Sequence, residues 1–338
     1  MKFLNKIFKP KRSPTNTQRA EVMSGNPPIF TPFSGDAYSN DIYRSAVGSI
    51  ASNGAKLRAT HVITMDQQRK KGDANLNRIL EVRPNPYMTA YDLWYKLITH
   101  YYLYNNTFAY LQKDEKGNLI GIYPLNPTHM EFITDANNNM FCHFFFNNSD
   151  YVLNLNEVFI ARRFFNSNDL LGDSNLAILN TLELAHTQNT GLKESIKANA
   201  TIRGILKYNQ VLSPEKLKEE KNKFIQDYLS ISNNGGIAAL DSKVEYIPID
   251  IKQVAIDDKQ LKSIKDKIFS YLGILENIVN STYTENEWSA FYESVIEPLA
   301  LQFSLELTDK LFTPREQRFG NSIMFESNRG QPAFFRNF

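Results

Sequence analysis

RPNPYMTAYDLWYKLITHYYLYNNTFAYLQKDEKGNLIGIYPLNP, residues Arg83 to Pro127, joins three local patterns without a spacer. Pro84 and Pro86 hold the residues before them extended, so the stretch opens as a turn. Thr89 is a good helix cap, and Leu93, Trp94, Leu97, Ile98 and Tyr101 then recur at three- and four-residue steps, the spacing of one helix face. After Asn105 the pattern turns to β: Phe108, Tyr110 and Leu111 lead into Asp114 to Asn118, whose Gly117 and Asn118 suit a tight hairpin, and Leu119 to Tyr123 returns. Pro124 and Pro127 close the unit.

Upstream, residues 1 to 40 hold Pro10, Pro14, Pro27, Pro28 and Pro32 among Asn, Ser and Thr, which predicts an arm ordered only when a neighbour holds it. A helix is expected from Asp41, its cap, with Ile42, Val47, Ile50 and Ala51 on one face, followed by a strand over Thr60 to Met65. Downstream, Met130 to Thr134, Met140 to Phe146 and Val158 to Phe164 read as strands between Asn-rich turns, giving an α+β lobe. Asp173 is the expected cap of a long helix, apolar at Leu176, Leu179, Leu182, Leu184 and Ala185 and then polar toward Tyr208. Ser213 and Pro214 open another helix, with Leu217, Phe224, Ile225, Tyr228 and Leu229 on its apolar face, and Asn233 to Gly236 end it. Short strands over Ile237 to Leu240 and Val244 to Pro248 lead to a lysine-rich helix, Asp257 to Leu272, and a last long helix, Glu287 to Phe312.

With 338 residues and 42% hydrophobic content the chain can bury one large core or two to three modest ones. Its apolar runs fall short of the roughly 18 to 20 residues that span a bilayer. The first residues lack a continuous apolar signal core, so the reading places synthesis and use in a cytoplasm. Cys142 alone rules out an intramolecular disulfide and a Cys-based zinc site; it reads as a core thiol. A formal charge of +2 argues against gripping nucleic acid by bulk positive charge.

Residues for catalysis are scarce. His61, His100, His129, His143 and His186 are scattered, with no two at metal-ligand spacing on one helix. The sequence has no Gly-x-x-x-x-Gly-Lys-Ser/Thr loop to cradle phosphates and no Gly-x-Ser-x-Gly elbow, and Cys142 and His143 alternate if they share a strand. Asp257 and Asp258 could hold magnesium in a DNA-cleaving enzyme, which makes a metal-dependent nuclease the rival reading. The better reading is that two acids at the start of a lysine-rich helix stabilise its positive end. Lys259, Lys262 and Lys265 share one face, either merely solvated or turned to a partner.

In their order these residues resemble the tailed-bacteriophage portal proteins. That family has an Arg-Pro-Asn-Pro-x-Met-Thr turn, a helix, an Asn-x-x-Ala-Tyr strand, a Gly-containing hairpin and a Tyr/Leu-Pro-Leu-x-Pro exit. The matches are Arg83 to Thr89, Asn106 to Tyr110, Gly117 and Tyr123 to Pro127. The family usually has Gly-Asn-Ala-Tyr where this chain has Asn106-Thr107-Phe108-Ala109-Tyr110. The likeness continues collinearly through Asn156 to Arg162, a Leu-x-Gly-x-Ser loop at Leu170 to Ser174, and Phe269 to Ile274, where the family's proline is missing. It then runs through Thr282 to Asn286, Phe291, Ile296 to Leu299 and Leu305 to Leu311, covering roughly Tyr43 to Phe325.

The resemblance implies an α+β portal fold with an α/β wing (residues 41–174), stem helices (175–207 and 257–272) and a small α/β clip (208–256). A tunnel loop (273–286) and a wing helix with C-terminal tail (287–338) follow, with the crown short or absent and residues 1–40 an arm. It implies a structural protein, not an enzyme, without cofactor or metal. Its subunits form a ring, usually a dodecamer, at one vertex of a virion assembled in the host cytoplasm. Double-stranded DNA would pass the channel without base readout, and the partners would be the large terminase, the head-tail connector, the major capsid protein and scaffold, with no membrane. On this reading Asn277, Asn280, Ser281, Thr282, Tyr283, Thr284 and Asn286 face DNA in the tunnel loop, and Lys259, Lys262 and Lys265 form a stem face. Lys218, Lys221, Asn233 and Asn234 of the clip would meet terminase or adaptor.

Overall fold

The computed structural model describes residues 18–19, 29–30, 37–199, 204–208, 213–228, 244–248 and 258–327. The N-terminal elements are β1 (Gln18–Arg19), β2 (Ile29–Phe30), α1 (Asp41–Gly54), β3 (Arg58–Met65), β4 (Gln68–Lys71), α2 (Ala74–Glu81), α3 (Ala90–Tyr104), β5 (Asn106–Lys113) and β6 (Leu119–Leu125). Next come β7 (His129–Thr134), β8 (Met140–Phe146), β9 (Ser149–Asn154), β10 (Val158–Arg162), α4 (Leu176–Asn199), β11 (Gly204–Tyr208), α5 (Pro214–Tyr228) and β12 (Val244–Pro248). The last are α6 (Asp258–Leu272), α7 (Glu276–Val279), α8 (Glu285–Phe291), α9 (Glu297–Leu311), α10 (Pro314–Arg318) and β13 (Asn321–Glu326). The fold is α+β, as expected. The chain forms two compact units, Met1–Glu183 with Ser263–Phe338, and Leu184–Lys262.

In the larger unit the aromatic stretch is the middle layer. Side chains alternate along a strand. On β10, Val158 and Ile160 therefore enter an apolar cluster with Phe108, Phe132, Cys142, Phe144 and Leu153, while Phe159 points the other way, its ring 5.0 Å from Phe303 of α9. The antiparallel sheet β10-β5-β6 thus has the sheet β7-β8-β9 on one face and α3 with α9 on the other. On the helical side Trp94 is 1% exposed and meets Phe325 edge-on at 4.9 Å. Cys142 is a free thiol, fully buried and pushed up by that burial.

Sheet edges are closed by side chains. Gln302 Nε2 donates to Arg162 O and Glu306 Oε1 accepts from Ile160 N, which satisfies β10; Ser304 Oγ accepts from Phe325 N and Thr308 Oγ1 from Ile323 N, which satisfies β13. Helix α9 is therefore a bridge between two sheets. The proline-bounded turn does the same for β6: Ile122 N donates to Pro84 O at 2.9 Å and Asn85 Nδ2 to Ile122 O at 2.7 Å. On β4, four exposed residues, Gln68 to Lys71, blunt the edge by charge. Two hairpin turns, Asp114 to Asn118 and Asp135 to Asn139, use one device, in which the Asp carboxylate accepts two backbone N–H bonds and one from the Asn amide.

Several boundaries differ from expectation. Asn40, not Asp41, caps α1, accepting from Tyr43 N at 3.0 Å. Asp173 does not cap α4, because its carboxylate is engaged by the Ser167 N–H and hydroxyl. The strand expected to reach Phe164 stops at Arg162, since Phe164 takes a φ of +52°. The polar helix read toward Tyr208 ends at Asn199, and Gly204–Tyr208 is a strand paired with Val244–Pro248. The last helix starts at Glu285 and passes through a π turn at Tyr292–Ile296, which relieves the ring of Pro298. Strands β4, β9 and β13 and helix α2 were not expected, and the strand expected over Ile237 to Leu240 lies outside the described residues.

Candidate channel segment and the junction that holds it

Helix α6 buries Ile264, Ile268, Phe269 and Leu272 and leaves Lys259 and Lys262 exposed. Lys265 is not free to face a partner: its ammonium pairs with Glu276 and lies 5.6 Å from the Phe269 ring. The helix ends in a Schellman motif. Gly273 takes φ +75°, its N–H donates to Ser270 O, and Ile274 N donates to Phe269 O at 3.0 Å.

From there the backbone is pinned turn by turn. Ile274 and Ile278 are each 3% exposed and anchor the short helix α7. Asn280 N donates to Glu276 O, Ser281 adopts φ +59°, and Thr282 N donates to Asn277 O at 2.9 Å. Asn277 Nδ2 donates to Glu287 Oε1 at 2.7 Å, and Glu287 Oε2 accepts from the Thr284 N–H at 2.7 Å, which with the Thr284 hydroxyl forms a capping box on α8. The Thr284 backbone bond, then the Asn277 and Thr284 side chains, hold the Glu287 carboxyl below its usual range. Tyr283 stacks on Trp288 at 5.1 Å.

Asn280, Ser281, Thr282, Tyr283, Thr284, Glu285 and Asn286 are all exposed. Between Lys267 and Lys310 the sequence has no Lys or Arg. Of the segment's carboxylates, Glu276 is paired with Lys265 and Glu287 serves as a cap, which leaves Glu285. The segment presents a rigid surface of hydroxyls, amides and one phenol ring, without a cation to hold a phosphate.

At its start the segment joins a junction of four chain ends. Arg163 Nη2 donates to Tyr271 O, the last turn of α6, and the guanidinium lies over the rings of Phe164 (4.2 Å), Tyr102 (4.7 Å) and Tyr271 (5.2 Å). A cation there also complements the negative end of the helix. Tyr271 OH donates to Asn175 Oδ1 at 2.6 Å, and Asn175 Nδ2 donates to Tyr102 O and Leu103 O, so the start of α4 is tied to the ends of α3 and α6. Asn106 and Gly172 exchange two bonds, Gly172 N to Asn106 Oδ1 at 2.8 Å and Asn106 Nδ2 to Gly172 O at 3.0 Å. A Cβ on Gly172 would lie 2.1 Å from Arg163 O and 2.7 Å from Asn105 O, so only glycine fits. Two sequence motifs 66 residues apart thus meet in one contact. Sequence reasoning missed this junction; the isolated pair Asn105-Asn106 and the small loop around Gly172 were its only signals.

Of the other expected site residues, Lys218 is exposed on α5, Lys221 lies within α5, and Asn233, Asn234 and Asp257 are outside the described residues. Among the described residues no group of three or more His, Cys, Asp or Glu could hold a metal, and no helix is long and apolar enough to cross a membrane.

The family model "Phage portal protein" matches residues 41–331. The "Probable portal protein" of Lactococcus phage p2 and that of Lactococcus phage SK1 are each 27% identical over 120 residues, 35% of this chain and 32% of theirs, so the match spans about a third of those relatives. Among solved structures, a chain from the neck of an empty gene transfer agent particle aligns with TM-score 0.68 at 17% identity, covering 92% of this chain and 89% of its own. A chain from the native particle's neck, computed with C12 symmetry, gives 0.67 at 16% identity, covering 92% and 88%. The crystal structure of an HK97 family phage portal protein from Corynebacterium diphtheriae gives 0.54 at 13% identity, covering 88% and 96%. On this agreement of sequence model and fold, the chain belongs to the phage portal protein family.

Proposed function

We propose that the chain is the subunit of a twelve-membered ring at one capsid vertex, the channel through which double-stranded DNA is packaged and ejected. The observation that carries this reading is the pinned, cation-free surface from Asn280 to Asn286. A duplex that must slide needs a wall it does not stick to. Loops without Lys or Arg release no counterions on contact and hold no phosphate in place. Lys259 and Lys262 supply a sparse positive face on α6, whereas Lys265 is assigned to bracing the loop through Glu276. The neck assembly computed with C12 symmetry supports twelve copies here.

Ring closure requires two different complementary faces on each subunit. The unit Leu184–Lys262, with α5, β11 and β12, is assigned as the stem ends and clip, and its Lys218 and Lys221 as contacts for the large terminase and the head-tail connector. Within the larger unit, residues 41–174 and 287–338 are assigned as the wing, against the major capsid protein and scaffold. The ring works in the virion after assembly in the host cytoplasm, without cofactor or catalysis of its own.

Light scattering on the purified chain, with negative-stain images of the same peak, tests the assembly. Twelve copies of 38.9 kDa give about 470 kDa with a central hole. A compact monomer or dimer in the presence of capsid and connector proteins would oppose the reading. Magnesium-dependent DNA cleavage lost on Asp257→Ala with Asp258→Ala would favour the nuclease instead.

A further inference from the structure

Lys56 to Arg83 holds seven Lys and Arg, all exposed, against three acids, in a chain whose formal charge is only +2. Two of the acids are held: the Asp73 carboxylate accepts from Leu76 N at 2.7 Å, and Glu81 accepts from the Thr60 hydroxyl and the Lys71 ammonium. The basic excess is therefore gathered in one piece of the fold, β3, β4 and α2.

Strand β4 is the outer strand of the sheet β13-β3-β4, and among the described residues no strand pairs with its far side. Antiparallel partners alternate between pairs that exchange two backbone bonds and pairs that exchange none. Gly72 N donates to His61 O at 2.8 Å, so the next exchanging pair is Ile63 with Lys70. Lys71 then turns its N–H and C=O outward, and the same alternation does so for Arg69. Side chains alternate too: Lys71 reaches Glu81 on the α2 face, and Lys70 stands on the opposite face. Cations flank both faces of an edge that also presents backbone donors and acceptors. Their charge repels a second copy of this edge and attracts an acidic partner. A phosphate backbone could accept from the N–H groups but has no donor for the outward C=O groups, whereas a peptide strand has both.

We propose that β4 is a docking edge for an acidic, extended peptide segment of a partner protein, which joins the sheet as its fourth strand. Its main chain bonds to the outward groups of Lys71 and Arg69, and its carboxylates lie beside Lys70 on one face and Arg69 on the other. The assignment concerns this sheet alone and does not depend on ring closure.

The test is fluorescence anisotropy with the full chain and a labelled peptide that alternates glutamate with valine. Lys71→Gln and Lys71→Pro both remove the ammonium, but only proline removes the outward N–H, at an edge that tolerates it. Melting temperatures would verify that both variants fold. The unaltered chain is expected to bind the peptide, and Lys71→Pro to bind about tenfold more weakly than Lys71→Gln. On the unaltered chain, an N-methylated peptide that cannot donate should lose about tenfold as well. No binding, or affinities indifferent both to the proline and to the methyl groups, would overturn the proposal. Tighter binding of duplex DNA than of the peptide would overturn it too, and would assign the face to nucleic acid. A monomeric chain that still bound the peptide would count against the ring and for the edge.

Discussion

Arg83–Pro127 and Gly273–Glu287 are both built from turns and helices, yet different forces hold them. The first is fixed by burial: Leu93, Trp94, Leu97, Phe108 and Leu111 are each 1% exposed or less. The second keeps only Ile274 and Ile278 inside and relies on a Schellman turn, a capping box and two side-chain pins. Apolar burial is worth several kcal/mol per large side chain, whereas a cap is worth about one. The stretch read most easily from sequence should therefore dominate stability, while Gly273–Glu287 can change without unfolding the subunit.

Trp94→Ala should break the first region most severely, with a loss of about 3–5 kcal/mol in urea unfolding. The Trp94 indole N–H has no acceptor among the described residues, so Trp94→Phe should cost much less. A similar loss for both would mean that the indole is held by a bond and not by packing.

His100 gives the same region a pH dependence. Burial, helped by the Lys96 charge and opposed by a hydrogen bond to Leu125, pushes it down to about 4 from an ordinary 6.5. Between these values the unfolded chain binds a proton that the folded chain does not. Stability is therefore complete above pH 6.5 and falls as the pH drops, by roughly 3 kcal/mol at pH 4. His100→Gln should flatten that part of the profile; an unaltered slope would place the proton elsewhere.

In Gly273–Glu287 the expected effects are smaller. Gly273→Ala forces an L residue to φ +75° and should cost about 1–2 kcal/mol. Thr284→Ala removes the cap of α8 and should cost about 1 kcal/mol. Thr282→Ala, on the exposed surface, should stay within about 0.5 kcal/mol in melting experiments. Thr282→Lys should be equally silent in stability but, on the proposed function, slow DNA passage through the ring, which would separate that proposed role from folding.

The same contrast explains what the sequence made legible. Helix α3 was readable at both ends because Thr89 and the spacing of Leu93, Leu97 and Tyr101 are local signals, and its capping partner Asp92 is three residues away. The hairpin β5-β6 was readable because Gly117 sits at φ +85° between apolar runs. Strand β4 was not, because Gln68 to Lys71 carries no apolar alternation: it is an exposed edge. Strand β13 pairs with β3 across most of the chain, so no local pattern announces it. Of the candidate site, the resemblance singled out Asn280 to Asn286, which are exposed. The junction of Arg163, Asn175 and Tyr271 was not, because long-range bonds between helix ends leave no period in the sequence.

The central claim is that the segment Asn280–Asn286 lines the path of DNA. The direct test is a cryo-electron microscopy map of the assembled ring, with Thr282→Cys carrying a small gold label. The account predicts gold at the narrowest part of the central lumen. Gold on the outer wall, or buried between subunits, would contradict it.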